Sequence, residues 1–450
     1  MFSLFSAGLS PEEVVFALSK DGFFSPYSKY FSKVSNLIKG YRFKFSTAIS
    51  KTIKSIKSRY FKEFVFGFSQ TVTYGDNMES YFSREIEVAL NEYNSAMFRK
   101  IESLNNFLSI YITLNSSLVF LLSSITILAL LYESGEYLVN LMLLLALTVI
   151  TNMTLALYFI YKPESYINYK LMDKLLFLAV ISVILVFSVL GNYFLIAILG
   201  AMAFVIGLWF KLKEDRIWNL ERSYVLFVRY FCRTYTIVGN IYESFSTVLR
   251  GDLGRSKELI KNAQVRLNYG VSKRKIFNLI SEESKSILVG MVNKILISSI
   301  EVGGKMGDVG DILGKIGDTI LNLRLRRDQN GRAFESSVYA LQTSVSAIAS
   351  SLIYIVSFLS QLFSLPFTGN IFQFTPLDLN TLQVYFSLIL VSLSISNGIG
   401  IAIAYGRSLN YSLYFIGILT MISSIAFHIV FILVQGLFSS LNIPSNVGLS

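Results

Sequence analysis

The stretch "SSIEVGGKMGDVGDILGKIG", residues 298–317, carries six glycines in twenty positions, set among Ile, Met, Val and Leu. Gly303, Gly307, Gly310, Gly314 and Gly317 recur at intervals of four, three, four and three, which is one face of an α-helix. Met306, Val309, Leu313, Ile316 and Ile320 form an adjacent apolar stripe. Glycine costs roughly 1 kcal/mol per position against alanine inside a helix. Close approach of a second helix backbone is the ordinary compensation, as in small-xxx-small seams. The spacing therefore predicts a packing face. The Gly303-Gly304 pair is expected to end one helix and turn the chain, with Asp308 near the start of the next. A phosphate-binding reading fails on order: no G-x-x-x-x-G-K-[ST] occurs, no strand precedes, and the pattern is not the dinucleotide fingerprint.

Outward from this stretch the chain is apolar. Its 450 residues are 53% hydrophobic and 15% charged, with mean hydropathy +0.55. Soluble domains carry about a quarter charged residues. Windows 111–131, 138–160, 340–363, 381–405 and 410–436 each suit a membrane-crossing helix of about 20 residues. Window 175–210 has no charge, and as one helix it would extend about 54 Å, too long for one crossing. Gly191-Asn192 in its middle predicts a hairpin of two short helices. The expected fold is all-α: a polytopic membrane protein with about seven transmembrane helices and two repeated cytosolic helical-bundle domains.

Charge is concentrated in two blocks. Residues 1–110 hold 14 Lys+Arg and 10 Asp+Glu, residues 211–336 hold 22 and 14, and the remainder holds 4 and 5. The expected organisation is a basic helical segment (1–48), a first cytosolic domain (49–110), four spans (111–210), a second cytosolic domain (211–336), three spans (337–436) and an extracytoplasmic tail (437–450). Orientation follows from the short loops by the positive-inside rule. "YESGEY" has two acids and no base, "YKPESYINYKLMDK" has Lys162, Lys170 and Lys174, and Arg407 lies between the last two spans. The N-terminus and 211–336 are thereby cytosolic and the C-terminus is outside.

Single residues narrow the chemistry. Cys232 is the only cysteine and His428 the only histidine, which excludes disulfides and cysteine-based metal sites within one chain. His428 in an apolar span is open to a proton-relay reading, but without a nearby carboxylate it reads as a packed neutral side chain. No Ser/His/Asp set, paired-acid cluster or nucleotide motif appears, so no catalytic, cofactor or metal residue is predicted. The opening "MFSLFSAGLSPEE" lacks the basic start of a cleavable signal. It reads as a helix start with Ser10 as N-cap, Pro11 in the first turn and Glu12-Glu13 at the positive dipole end.

Ile49, Ile53, Ile56 and Tyr60 fit one helical stripe, interleaved with bases that include Lys51, Lys54 and Lys57. A basic amphipathic helix suits anionic lipid or an acidic protein partner; nucleic acid is not expected among seven spans. Placing Met78 on Met306 puts Gly75 on Gly303, Arg99 on Arg327 and Tyr111 on Tyr339, with 33 residues from methionine to membrane in both places. A duplicated unit follows, a helical bundle whose last helix continues into the bilayer, the second copy being longer upstream.

At "VGGKMGDVGDIL", and more loosely at "YGDNMESYF", the chain resembles the platform proteins of type IV filament machines. These are the F component of type II secretion, the type IV pilus inner-membrane core, and their archaeal pilus and archaellum counterparts. Those proteins carry two cytosolic helical domains, each with a G-G-x-hydrophobic turn before a helix leading to the membrane. The layout matches over residues 50–440, and about seven spans point to the archaeal branch. Bacterial copies commonly place Glu directly after the motif glycine; here Lys305 follows Gly304, and Glu301 comes earlier. The resemblance implies a non-enzymatic platform that anchors the filament, docks a hexameric secretion ATPase and couples its motion to pilin or archaellin insertion or to rotation. A homodimer suits a platform beneath a six-fold motor. Docking candidates are Lys273, Arg274 and Lys275 in an expected interhelical turn, Arg324, Arg326 and Arg327 on the helix entering the membrane, and Lys51, Lys54 and Lys57. The alternative class is a secondary transporter, where repeats are also expected, and a third is a scaffold for an unrelated membrane complex.

Overall fold

The computed structural model describes residues 1–20, 25, 27–129, 135–161, 169, 171–363 and 378–439. Among them there is helix and no strand. The loop charges used for orientation at 133 and at 162–170, and the tail from 440, lie outside the described residues.

The chain opens with a single turn, α1 (Phe2–Phe5), followed by α2 (Pro11–Lys20), α3 (Tyr27–Lys39), α4 (Phe45–Thr52), α5 (Arg59–Tyr74) and the 52-residue α6 (Met78–Ala129). Helices α7 (Gly135–Ile160) and α8 (Leu171–Ser188) precede the 46-residue α9 (Tyr193–Val238). Shorter helices α10 (Ile241–Val248), α11 (Ser256–Asn268), α12 (Lys273–Ser284) and α13 (Ile287–Val302) lead to the 58-residue α14 (Met306–Phe363). The chain closes with α15 (Leu379–Tyr405) and α16 (Ser412–Ser439). Seven of these, α6 to α9 and α14 to α16, are long and apolar enough to cross a membrane. The hairpin expected at 191–192 is present. Gly191 adopts φ +67°, and the Asn192 carboxamide oxygen accepts from the Phe194 and Leu195 N–H groups at 3.0 and 3.2 Å, capping α9.

Two compact units result: Met1–Phe98 with Ile217–Leu323, and Arg99–Arg216 with Arg324–Ser450. The first holds the repeat. Helices α4, α5 and α6 begin at Phe45, Arg59 and Met78, and α12, α13 and α14 at Lys273, Ile287 and Met306, a constant shift of 228. Upstream the shift drifts by a residue or two, with Tyr27 against Ser256 and Pro11 against Ile241. The local chemistry repeats as well. Ser58 and Ser286 cap α5 and α13, their hydroxyls accepting from the Phe61 and Val289 N–H groups at 3.4 and 3.1 Å. Each helix ends on a left-handed glycine, Gly75 at φ +75° and Gly303 at φ +80°. In each case the next N–H, from Asp76 or Gly304, reaches back to Thr71 or Ser299, the closing bond of a Schellman turn. The second copy is longer upstream because α9 runs into it.

Each copy has its own core. Val14, Val34, Ala48, Val65 and Phe68 are fully enclosed in the first, and Phe227, Phe231, Phe245, Ile260 and Ile280 in the second. The expected start of α2 is also present: Ser10 N–H and Oγ donate to the Glu13 carboxylate at 2.9 and 2.8 Å, and the Glu13 N–H reaches back to Ser10 Oγ at 3.4 Å, a capping box. One expectation fails. Ile49, Ile53, Ile56 and Tyr60 do not share a helix: α4 stops at Thr52, a 3-10 turn spans Ile53–Ser55, and Ser58 starts α5 afresh. A serine N-cap with extended backbone cannot sit inside a continuous helix, so the stripe is broken, with Ile49 in α4, Tyr60 in α5 and the other two residues in the link between them.

The second unit holds the apolar stretches of the seven helices long enough to cross a membrane. Glycines bring the backbones of α9 and α16 together: an added Cβ on Gly207 would lie 2.1 Å from the Tyr414 nitrogen, and one on Gly417 2.4 Å from the Phe204 nitrogen and 2.7 Å from the Gly200 carbonyl oxygen. An uncharged polar network runs through part of its interior. Gln342 Nε2 donates to Ser423 Oγ at 2.6 Å, Ser394 Oγ at 2.9 Å and the Leu390 carbonyl at 3.2 Å. Asn397 Nδ2 donates to Gln342 Oε1 at 2.9 Å, and the Tyr111 hydroxyl donates to Asn397 Oδ1 at 2.9 Å. This network ties α6, α14, α15 and α16 together where water cannot satisfy backbone or side chain.

Candidate partner-docking surface

The glycine face lies against α9. A Cβ on Gly310 would stand 2.4 Å from Cys232 Cβ, one on Gly314 2.1 Å from Arg229 Nε, and one on Gly317 2.7 Å from the Val225 methyls; Gly307 meets Thr236 Oγ1 at an ordinary 3.5 Å. Gly303 is the turn residue and takes no part in the seam. Two ion pairs flank it, Arg229 with Asp318, and Arg233 Nη2 with Asp311 Oδ1 at 3.1 Å. The seam is thus packing reinforced at its edges by charge. In the turn itself the Gly303 and Gly304 N–H groups go to the Ser299 carbonyl, and the Lys305 N–H to Ser6 Oγ at 3.4 Å.

The two copies meet around this turn. Lys305 Nζ donates to both carboxylate oxygens of Glu79 at 2.8 Å, and Lys315 Nζ lies 3.3 Å from Glu87. Glu79 holds the Lys305 ammonium above its ordinary range. Lys305 is a strut between the repeats. Sequence reasoning missed it because its partner lies 226 positions away.

Lys273, Arg274 and Lys275 occupy the exposed first turn of α12, after the bend at Gly270. Arg274 forms a two-pronged bond to Glu301, at 3.0 and 2.5 Å, while Lys273 and Lys275 extend from the same turn. Lys51, Lys54 and Lys57 are exposed too, Lys51 lying 3.9 Å over the Phe43 ring. The cluster at 324–327 is different. Arg326 is exposed, but Arg324 and Arg327 are 8% and 9% exposed. Arg327 donates to the Ile403 and Ala404 carbonyls at 2.8 and 3.3 Å, a cation serving the C-terminus of α15, where the dipole is negative. Of these three docking candidates, only Arg326 is thus presented at the surface.

His428 is half-buried with Nδ1 2.8 Å from the Ser424 carbonyl of its own helix, the contact of a packed ring donating to its helix. Among the described residues no three His, Cys, Asp or Glu side chains come together as metal ligands.

Residues 1–126 match the family described as Type II secretion system (T2SS), protein F, a segment comprising the first copy and most of α6. No curated protein and no solved structure matches the chain.

Proposed function

We propose that this protein is the membrane platform of a type IV filament assembly machine. It anchors the filament and couples a cytosolic hexameric secretion ATPase to pilin insertion or, in an archaellum-like machine, to rotation of an archaellin filament. Both copies face the cytosol in this reading, with the C-terminus outside, and two chains pair beneath the motor. It acts without catalysis of its own. The observation that carries the reading is the repeat: the bundle in the segment resembling T2SS protein F recurs, helix for helix and turn for turn, from Ile241 to α14. A transporter places its repeat in the membrane helices, whereas here the duplicated caps and turns lie in the polar blocks.

The test is gentle purification from native membranes with mass spectrometry at low and high salt. A secretion-type ATPase and pilin-like subunits, with the ATPase shed by salt, is the expected result. Their absence at low salt with the chain intact would overturn the proposal.

A further inference from the structure

The turn before α4 and the turn before α12 are built alike, and each holds out a tyrosine. Tyr41 is 74% exposed and Tyr269 83%. Each precedes a left-handed residue, Arg42 at φ +53° and Gly270 at φ +77°. A half-buried apolar residue follows, Phe43 or Val271, whose N–H reaches back 3.2 Å to the Leu37 or Arg266 carbonyl in the last turn of the helix before. The first turn is one residue longer, 40–44 against 269–272. A single exposed aromatic is ordinary on a protein surface. The same ring at the same point of both copies is not explained by folding, because at such exposure neither ring fills a core. Arg42 adds a second sign. The equivalent position carries glycine, which takes a left-handed backbone without steric cost, whereas arginine there is strained. Strain of this kind persists where the side chain is used.

The charge around each tyrosine has one sign. No acid occurs from Lys33 to Lys62 or from Leu259 to Ser281. Arg42 and Lys44 are exposed in the first turn, and Lys273 and Lys275 directly after the second. Among the described residues none of these four is held in an ion pair, whereas Arg266 and Arg274 are engaged by Glu283 and Glu301. We propose that the two turns are equivalent docking tips for one acidic protein segment that the partner presents more than once. Each tip sets its tyrosine in an apolar notch flanked by carboxylates. Tyrosine and arginine are the residues that most often dominate binding energy at interfaces, and tyrosine orders few torsions when it is buried. The surrounding cations steer the encounter and exclude basic surfaces. A contact made twice by one chain is matched by a partner that repeats its own surface, as a symmetric oligomer of identical subunits does. The proposal deepens the platform reading, in which the motor is such an oligomer, and names the surface it offers.

The test places the photo-crosslinking residue p-benzoylphenylalanine at Tyr41 or at Tyr269 of the full chain in native membranes, with exposed Tyr230 of α9 as the control position. Both tips should capture the same Asp- and Glu-rich segment of the same protein, the control should not, and capture should decline as salt is raised. Arg42→Gly relieves the strained backbone, so that variant should melt no earlier than the parent chain and yet lose capture from position 41. Different proteins or different segments at the two tips, capture from one tip alone, capture of a second copy of this chain, or no capture overturns the proposal, as does undiminished capture by Arg42→Gly. The platform reading is tested separately by what is captured. A shared acidic segment in a protein other than a secretion-type ATPase would leave the tips standing and remove that reading. Co-purification of such an ATPase, with different segments or none at the tips, would do the reverse.

Discussion

Cys232 of α9 and Gly310 of α14 lie so close that a methyl group on Gly310 would stand 2.4 Å from Cys232 Cβ. The neighbour is the first atom of a side chain fixed to its backbone, so it cannot swing aside. Gly310→Ala should therefore destabilise the fold by about 1–3 kcal/mol, as overpacking does. At Gly307 the added methyl meets Thr236 Oγ1 at 3.5 Å, and Gly307→Ala should be neutral or gain up to about 1 kcal/mol of helix propensity. Thermal unfolding in nanodiscs separates the two. Cys232→Gly combined with Gly310→Ala inverts the seam and should recover most of the loss; equal midpoints for Gly307→Ala and Gly310→Ala would refute the steric account.

Acid should loosen the start of α2. The Ser10 N–H and then its hydroxyl hold the Glu13 carboxyl below its ordinary value, with a smaller pull from Lys39. A carboxylate whose folded pKa is depressed contributes stability above its unfolded value, near 4.5 here, and loses it as pH falls through the folded pKa. Hydrogen exchange at the α2 N-terminus should rise as pH falls below that value, after correction for intrinsic rates. Glu13→Gln should flatten the dependence, and an unchanged profile in that variant would show that the capping box contributes nothing to it.

How much of this was legible in the sequence depends on the range of the forces involved. Gly191-Asn192 marked a hairpin because left-handed backbone and an Asn cap are local. The glycine spacing marked a seam for the same reason. Its partner was not legible: nothing in Val225, Arg229 and Cys232 announces that they lie over Gly317, Gly314 and Gly310. The repeat showed through Gly75 and Met78, whose turn demands special chemistry, while the helices around it had diverged, since a core accepts Val65 against Asn293 once hydrogen bonds are met. Arg327 misled because its environment is the end of α15, formed by residues 76 and 77 positions later. The stripe through Ile56 misled because hydrophobic spacing does not register a serine cap.

Gln342 sits at the centre of the buried network, and Gln342→Leu keeps its volume while removing its polarity. Ser394 and Ser423 can fall back on their own helix carbonyls, at 2.8 Å in both cases. The Asn397 amide cannot, so its Nδ2 loses a partner. The expected cost is about 1–3 kcal/mol, that of one unsatisfied buried group, read as faster unfolding in mixed SDS micelles. Ser394→Ala, which strands nothing, should cost less; a larger loss there would place the key bond elsewhere.

Lys273 and Lys275 stand in the first turn of α12, which holds no acid. Cations at a helix N-terminus oppose the macrodipole and weaken the helix, so these two are kept at some cost to the fold. Reversing them to Glu should leave thermal stability unchanged or raise it slightly. If they dock the acidic face of the proposed ATPase, the same double reversal should weaken its association most at low salt, where surface charges are least screened. Arg274 is the internal control, because its two bonds to Glu301 are structural and Arg274→Glu should perturb the fold before it perturbs binding. Pull-down across a salt series, with a melting curve for each variant, distinguishes these outcomes. Full association at low salt by a stable Lys273→Glu, Lys275→Glu protein would remove this turn from the docking surface and leave Lys51, Lys54 and Lys57 as the remaining exposed candidates in the first copy.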